Sequence, residues 1–219
     1  TKKIINMYKK WFQVIVLVSS LFISCEKKIN KKESMRNDNV IHENIDPGLY
    51  DINKTSSILN WSGRKVAYGH NGTLKFKEGS IQFYSDGSIS AKFDIDMNTI
   101  NVTDLEGGRK LSLENHLKAE DFFGVDEFPN ASITFQSQQS DIQNKHLDLK
   151  AFLTIKNITH PIHFSAQIVE VAPSLKAKAS LVFDRSLYDV RFGSGKFFEN
   201  LGDRLILDEI NVEVDLYFN

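Results

Sequence analysis

Three short motifs in this 219-residue sequence carry residue types suited to chemistry, and each lacks a member its chemistry needs. Gly193-Ser194-Gly195-Lys196 ends like a phosphate-binding loop. Val190, however, stands where the first glycine belongs, and Phe197 stands where a Ser or Thr hydroxyl should meet a metal ion. The segment reads as a flexible turn. Asp94-Ile95-Asp96-Met97-Asn98 begins like a calcium loop, yet Thr99 replaces its glycine and Leu105 its closing glutamate. Those carboxylates are expected on the solvated face of a strand. His160 and His163 flank Pro161-Ile162, and strand residues three apart point to opposite faces, so no shared metal ion is expected. No serine sits in a Gly-x-Ser-x-Gly elbow. These motifs nominate no catalytic group, no metal site and no resident cofactor.

The one cysteine has a more informative setting. Lys2, Lys3, Lys9 and Lys10 precede a mostly apolar run, Trp11 to Ile23, and Ser24-Cys25 follows it. A basic start and a short apolar run are the layout of a secretory signal, here residues 1–24, and the run is shorter than the ~20 residues a spanning helix needs. Phe22-Ile23-Ser24-Cys25 resembles a loose bacterial lipobox, in which the cysteine becomes the lipidated first residue of the mature protein. Acyl chains on Cys25 would anchor the chain to a membrane of the cell envelope, facing the periplasm or the outer surface. The alternative is a signal cut elsewhere with an incidental cysteine. A lone thiol also excludes an intramolecular disulfide, zinc fingers and CxxC redox motifs.

Residues 25–46 mix acidic and basic side chains with few large apolar ones and read as a flexible tether. Residues 47–219 suit one domain. With 41% hydrophobic and 25% charged residues the chain can bury a core, and a net charge of −1 lacks the basic surplus that phosphate recognition wants. No nucleic-acid partner is expected.

What positions any site here is a period of two. Ile89, Ala91, Phe93, Ile95 and Met97 alternate with polar residues. The same holds from Leu147 to Ile155, Ile162 to Ile168, Leu175 to Phe183 and Ile210 to Phe218. Ser57–Ser62, Arg64–Lys77, Ser80–Tyr84 and Ala131–Gln136 bring the total to roughly eight or nine strands. Lys77-Glu78-Gly79 and Ser85-Asp86-Gly87 are expected to turn antiparallel hairpins. Only Arg109–Asp121 looks helical, so helix-linked parallel strands are not expected, and an all-β antiparallel barrel or sandwich remains.

Several blocks, in order, resemble the YceI-like family of bacterial periplasmic proteins. They include Ser57-Ile58-Leu59-Asn60-Trp61, Ile100-Asn101-Val102-Thr103-Asp104-Leu105 and Glu114-Asn115-His116-Leu117. Further along come Asp121-Phe122-Phe123 with Phe128-Pro129, the stretch Leu153 to Ile162, and Phe183-Asp184-Arg185-Ser186-Leu187-Tyr188. Together they cover nearly all of residues 49–219. The chain departs in its first third, where an early histidine signature is reduced to Gly69-His70-Asn71-Gly72, as in a bacterial lipoprotein subgroup. The resemblance implies an eight-stranded, lipocalin-like antiparallel barrel with helical elements near its mouth, holding a polyisoprenoid chain in an apolar lumen. It also places His116 near that mouth, to contact a polar head group or to cap local backbone.

An eight-stranded barrel is either filled by its own side chains or holds one slender ligand. On inward-reading positions Phe76, Phe93, Phe164 and Phe183 are bulky, while Ala91, Ala151, Ala166, Ala177 and Ala179 leave room beside them. The candidate ligand-binding residues are therefore Trp61, Phe76, Phe93, His116, Phe122, Phe123, Phe164, Ala177, Ala179 and Phe183. The expected function is non-enzymatic carriage of an isoprenoid, quinone-like or similar amphiphilic lipid. The alternatives are an enzyme acting in the same cavity and a filled structural or stress-related barrel.

Overall fold

The alternation of apolar and polar residues closes into an antiparallel ring in the computed structural model, which describes residues 45–137 and 145–219. The signal-like segment, Cys25 and all but the end of the tether lie outside the described residues. The strands are β1 (Gly48–Asp51), β2 (Ile58–Lys65), β3 (Gly69–Phe83), β4 (Ile89–Val102), β5 (Asn130–Ser137), β6 (His146–Ile155), β7 (Ile158–Glu170), β8 (Lys176–Asp184) and β9 (Ile206–Tyr217). Among the described residues one α-helix, α1 (Gly107–Lys118), joins β4 to β5, and two short 3-10 turns, Arg185–Tyr188 and Gly202–Arg204, lie between β8 and β9.

Around the ring the order is β3-β2-β9-β8-β7-β6-β5-β4, and β3 pairs with β4 to close it. β1 pairs with the far end of β3, Gly48 opposite Phe83, while Ile52 bridges Phe218 just beyond β9. Thus β1 and β2 lie end to end in one slot between β3 and β9. Nine strands fill eight positions, and closure leaves the barrel no long free edge.

Burial follows the period. On β4, Ile89, Ala91, Phe93, Ile95 and Met97 are buried, as are Leu147, Leu149, Ala151, Leu153 and Ile155 on β6. Each large side chain removed from water contributes roughly 1.5–3 kcal/mol. A slip of one residue in any strand would turn this set outward, so the pattern also fixes register.

Two expected boundaries move. Lys77-Glu78-Gly79 turns no hairpin; it lies inside β3, where pairing with β4 shifts register between Phe76 and Glu78. That is a bulge, which lets a 15-residue strand bend around the ring. Gly79 is needed there for close approach, since a Cβ would fall 2.3 Å from Cδ1 of Phe93. The Arg64–Lys77 stretch is instead divided, because the Lys65 N–H bonds to the Tyr68 carbonyl at 2.6 Å and turns the chain from β2 into β3. The expected turn at Ser85-Asp86-Gly87 does occur, with Gly87 at φ +83°.

Strand directions put four connections at one end of the barrel: the β2–β3 turn, the β4–β5 segment with α1, the β6–β7 turn and the long β8–β9 loop. α1 starts and ends slightly before its expected bounds and buries only Leu117 fully. It is held across this end by Glu114, whose Oε1 accepts the Val102 N–H at 2.8 Å.

Candidate functional site

The lumen is open. A cavity of about 270 Å³ runs inside the ring and is lined almost wholly by carbon. That cavity speaks against the filled-barrel alternative, and the small residues of one wall leave room for it. Ala166, Ala177 and Ala179 on β7 and β8 line the cavity and are half-buried. Ala91 and Ala151 behave differently from expectation: they are buried in the wall and do not line the space.

All ten residues nominated from the sequence line the cavity. Phe76 and Phe93 meet edge to face across β3 and β4, with ring centroids 6.0 Å apart. Phe164 packs against Phe135 at 5.8 Å, and Phe183 against Tyr188 at 5.7 Å. Trp61 on β2 lies against Gly72 of β3, where a Cβ would come within 2.6 Å of the indole. At the helix end stand His116, Phe122 and Phe123. His116 is 5.6 Å from Phe122, which is 5.1 Å from Phe123.

Phe192 completes this lip, with its ring 4.3 Å from that of His116. Nothing in the sequence marks it, because it sits in an irregular loop with no periodicity to read. His116 does not cap backbone. Its Nδ1 is 3.9 Å from Asp121 Oδ1, and its Nε2 is buried without a hydrogen-bond partner. His70, in the reduced early signature, also lines the cavity and pairs through Nδ1 with Asp104 at 2.7 Å.

The loop that carries Phe192 is anchored rather than loose, which corrects the reading of Gly193-Ser194-Gly195-Lys196 as a flexible turn. Ser194 is fully buried and donates to Asp208 Oδ2 at 2.9 Å. Lys196 bonds to Asp184 and to Ser186 Oγ. Burial would raise the Asp184 carboxyl, but hydrogen bonds from Lys196 and Ser186 outweigh it and hold the group below its ordinary range. Beneath them Arg185 is wholly buried; it donates to the carbonyls of Val190, Ile206 and Leu207 and faces Asp208 at 3.2 Å. Losing one side of such a pair typically costs 3–5 kcal/mol. Within the block Phe183 to Tyr188, Asp184, Arg185 and Ser186 thus prop the mouth, while Phe183 lines the cavity.

Of the other motifs, Asp94 pairs with Lys92 at 3.0 Å, and Asp96 Oδ1 accepts from the backbone and side chain of Asn98. His160 contacts the Leu187 carbonyl at 3.0 Å, while His163 is exposed on the opposite face of β7. Among the described residues no three His, Cys, Asp or Glu side chains are grouped to hold a metal ion.

Comparison with known proteins agrees with this geometry. The family described as YceI-like domain matches residues 50–218. Protein YceI of Escherichia coli O157:H7 and that of Shigella flexneri are each 26% identical over 98 residues, which is 45% of this chain and 48% of theirs. The match therefore spans about half the length of those curated relatives. Among solved structures, BcnA of Burkholderia cenocepacia superposes with a TM-score of 0.62 at 17% identity, over 76% of this chain and 99% of its own. A polyisoprenoid-binding domain from Saccharophagus degradans, implicated in plant cell wall breakdown, gives 0.56 at 16% identity, over 78% and 97%. At those identities the likeness establishes a shared fold.

Proposed function

The chain belongs to the YceI-like family, and from that premise we propose that it binds and carries an isoprenoid or similar amphiphilic lipid in its lumen without transforming it. The observation that carries this reading is the open cavity of about 270 Å³ with its carbon lining. Each methylene buried there contributes about 0.8 kcal/mol, so ten contribute on the order of 8 kcal/mol. Association costs some 4–15 kcal/mol. A short amphiphile cannot offset that, whereas a long slender chain can, and it needs few polar contacts. The polyisoprenoid-binding activity of the Saccharophagus degradans neighbour supports the same class of ligand.

Anchoring belongs to the proposal too. The lipobox-like segment before Cys25 supports a lipoprotein of the bacterial cell envelope, with the barrel held near the membrane that supplies its ligand. The test is mass spectrometry of lipids extracted from the protein purified from a bacterial host. A long-chain isoprenoid or amphiphile near one per chain is the expected result. Protein that emerges empty and takes up no apolar fluorophore would overturn the reading, and conversion of a bound lipid would establish the enzyme alternative.

A further inference from the structure

The two ends of the lumen differ in how far their lining reaches solvent. At the helix end Arg64 and Gly69 are exposed, and Phe192 is 41% exposed. At the other end the lining is shut in, with Phe83 at 2%, Phe218 and Ile168 at 3% and Leu175 at 4%. Gln167 and Lys178 are exposed, but they alternate along β7 and β8 with the lining residues Ala166, Ile168, Ala177 and Ala179, so theirs is the outer face of the wall. A slender ligand therefore has one way in and a floor to meet.

Phe218 is central to that floor. It stands just past β9, held on one side by its bridge to Ile52 and on the other by its N–H, which donates to the Leu175 carbonyl at 3.0 Å. Its ring reaches Phe93 on β4, with centroids 6.3 Å apart. In the wall β4 and β9 are separated by β3 and by the slot that β1 and β2 share, so this contact cuts across the inside of the barrel. Phe93 meets Phe76 at 6.0 Å on its other side and lies against Gly79, where a Cβ would fall 2.3 Å from its ring. Nearby, Phe83 is backed edge-on by Tyr50 at 5.6 Å. Rings braced in this way cannot swing aside for a passing chain without repacking the wall, because protein interiors are packed like crystals.

We propose that Phe218, with Phe93, is the stop that sets the longest tail the lumen accepts. Each isoprene unit adds affinity until the chain end meets these rings, and further units stay outside in water. β9 runs 12 residues from Ile206 at the mouth to Tyr217 beside the floor. At ~3.3 Å rise per residue and a strand tilt of about 40°, that is a depth of roughly 30 Å. This rests on the lumen being a lipid site and names the residues that select the lipid by length.

The test uses the full-chain protein stripped of lipid and a ladder of isoprenoid alcohols: geraniol, farnesol, geranylgeraniol, geranylfarnesol and solanesol. Each is measured by displacement of a fluorescent lipid. In the wild type, affinity should rise by about tenfold or more per isoprene unit, since each buried methylene is worth about fourfold, and then level off at one length. Phe218→Ala and Phe93→Leu should each move that break to a longer alcohol. Ile89→Val, in register with Phe83 and fully buried but not lining the lumen, should leave the break in place. Ala177→Leu adds bulk beside Ile168 and Leu216 and should move the break to a shorter alcohol, which keeps the proposal testable if a phenylalanine variant fails to fold. Affinity that climbs through solanesol without a break would overturn the proposal, as would an unmoved break in folded Phe218→Ala. Failure of every alcohol to bind would instead reject the lipid-site reading itself.

Discussion

At the scale of single residues, Tyr188 is the sharpest prediction. It is 1% exposed, its hydroxyl has no hydrogen-bond partner, and burial, then Asp184, push the phenol up to about 12. In the unfolded chain a tyrosine ionises near 10. Below pH 10 both states hold the proton and stability is unaffected. Between about 10 and 12 the unfolded chain releases it first, so stability falls as pH rises. Tyr188→Phe should remove that part of the loss. At pH 7 it should leave stability unchanged or raise it by up to about 1 kcal/mol, since an unpaired buried hydroxyl is deleted. Urea unfolding midpoints of both proteins at pH 7 and pH 11 check this. Tyr188 shows what a motif conceals: it lies in a block that carries the family resemblance, yet its contacts are with Phe183 and His160 and not with the cavity.

Among the elements, β7 and β8 decide whether the barrel is a container. Ala166 and Ala179 face each other across this pair and both point into open space. Ala179→Trp should therefore settle into the lumen. We expect less than the ~1–3 kcal/mol lost on overpacking a filled core, measured by urea unfolding. Affinity for a long-chain isoprenoid should fall about tenfold or more, equivalent to ~1.4 kcal/mol, measured by displacement of a fluorescent lipid. A large stability loss with lipid retained would contradict an open wall at this site. The strands themselves were legible from alternation. The β3 bulge was not, because Lys77-Glu78-Gly79 has the composition of a turn, and only the Phe93 ring on the neighbouring strand shows why glycine is there.

At the scale of the whole molecule, the barrel's four connections at the helix end bring α1, the Phe122-Phe123 pair and the β8–β9 loop around one mouth. If Cys25 is the lipid anchor we propose, metabolic labelling with an acyl probe and membrane fractionation should both be lost in Cys25→Ser; labelling that persists would defeat it. The sequence alone determined the class of fold, because apolar residues at every second position have only one way to be buried, on one face of a sheet. It determined the candidate lining for the same reason: Phe76, Phe93, Phe164, Phe183, Ala177 and Ala179 lie on inward-reading phases, and the helix-end residues were marked by resemblance. Whether those side chains meet across the lumen was decided only by the tertiary structure. Filling depends on volumes summed over strands distant in sequence, and local periodicity carries no information about what stands opposite. The same holds at the mouth, where Phe192 reaches His116 and Arg185 reaches Asp208 through closure of the ring. Those contacts join segments that no local spacing relates.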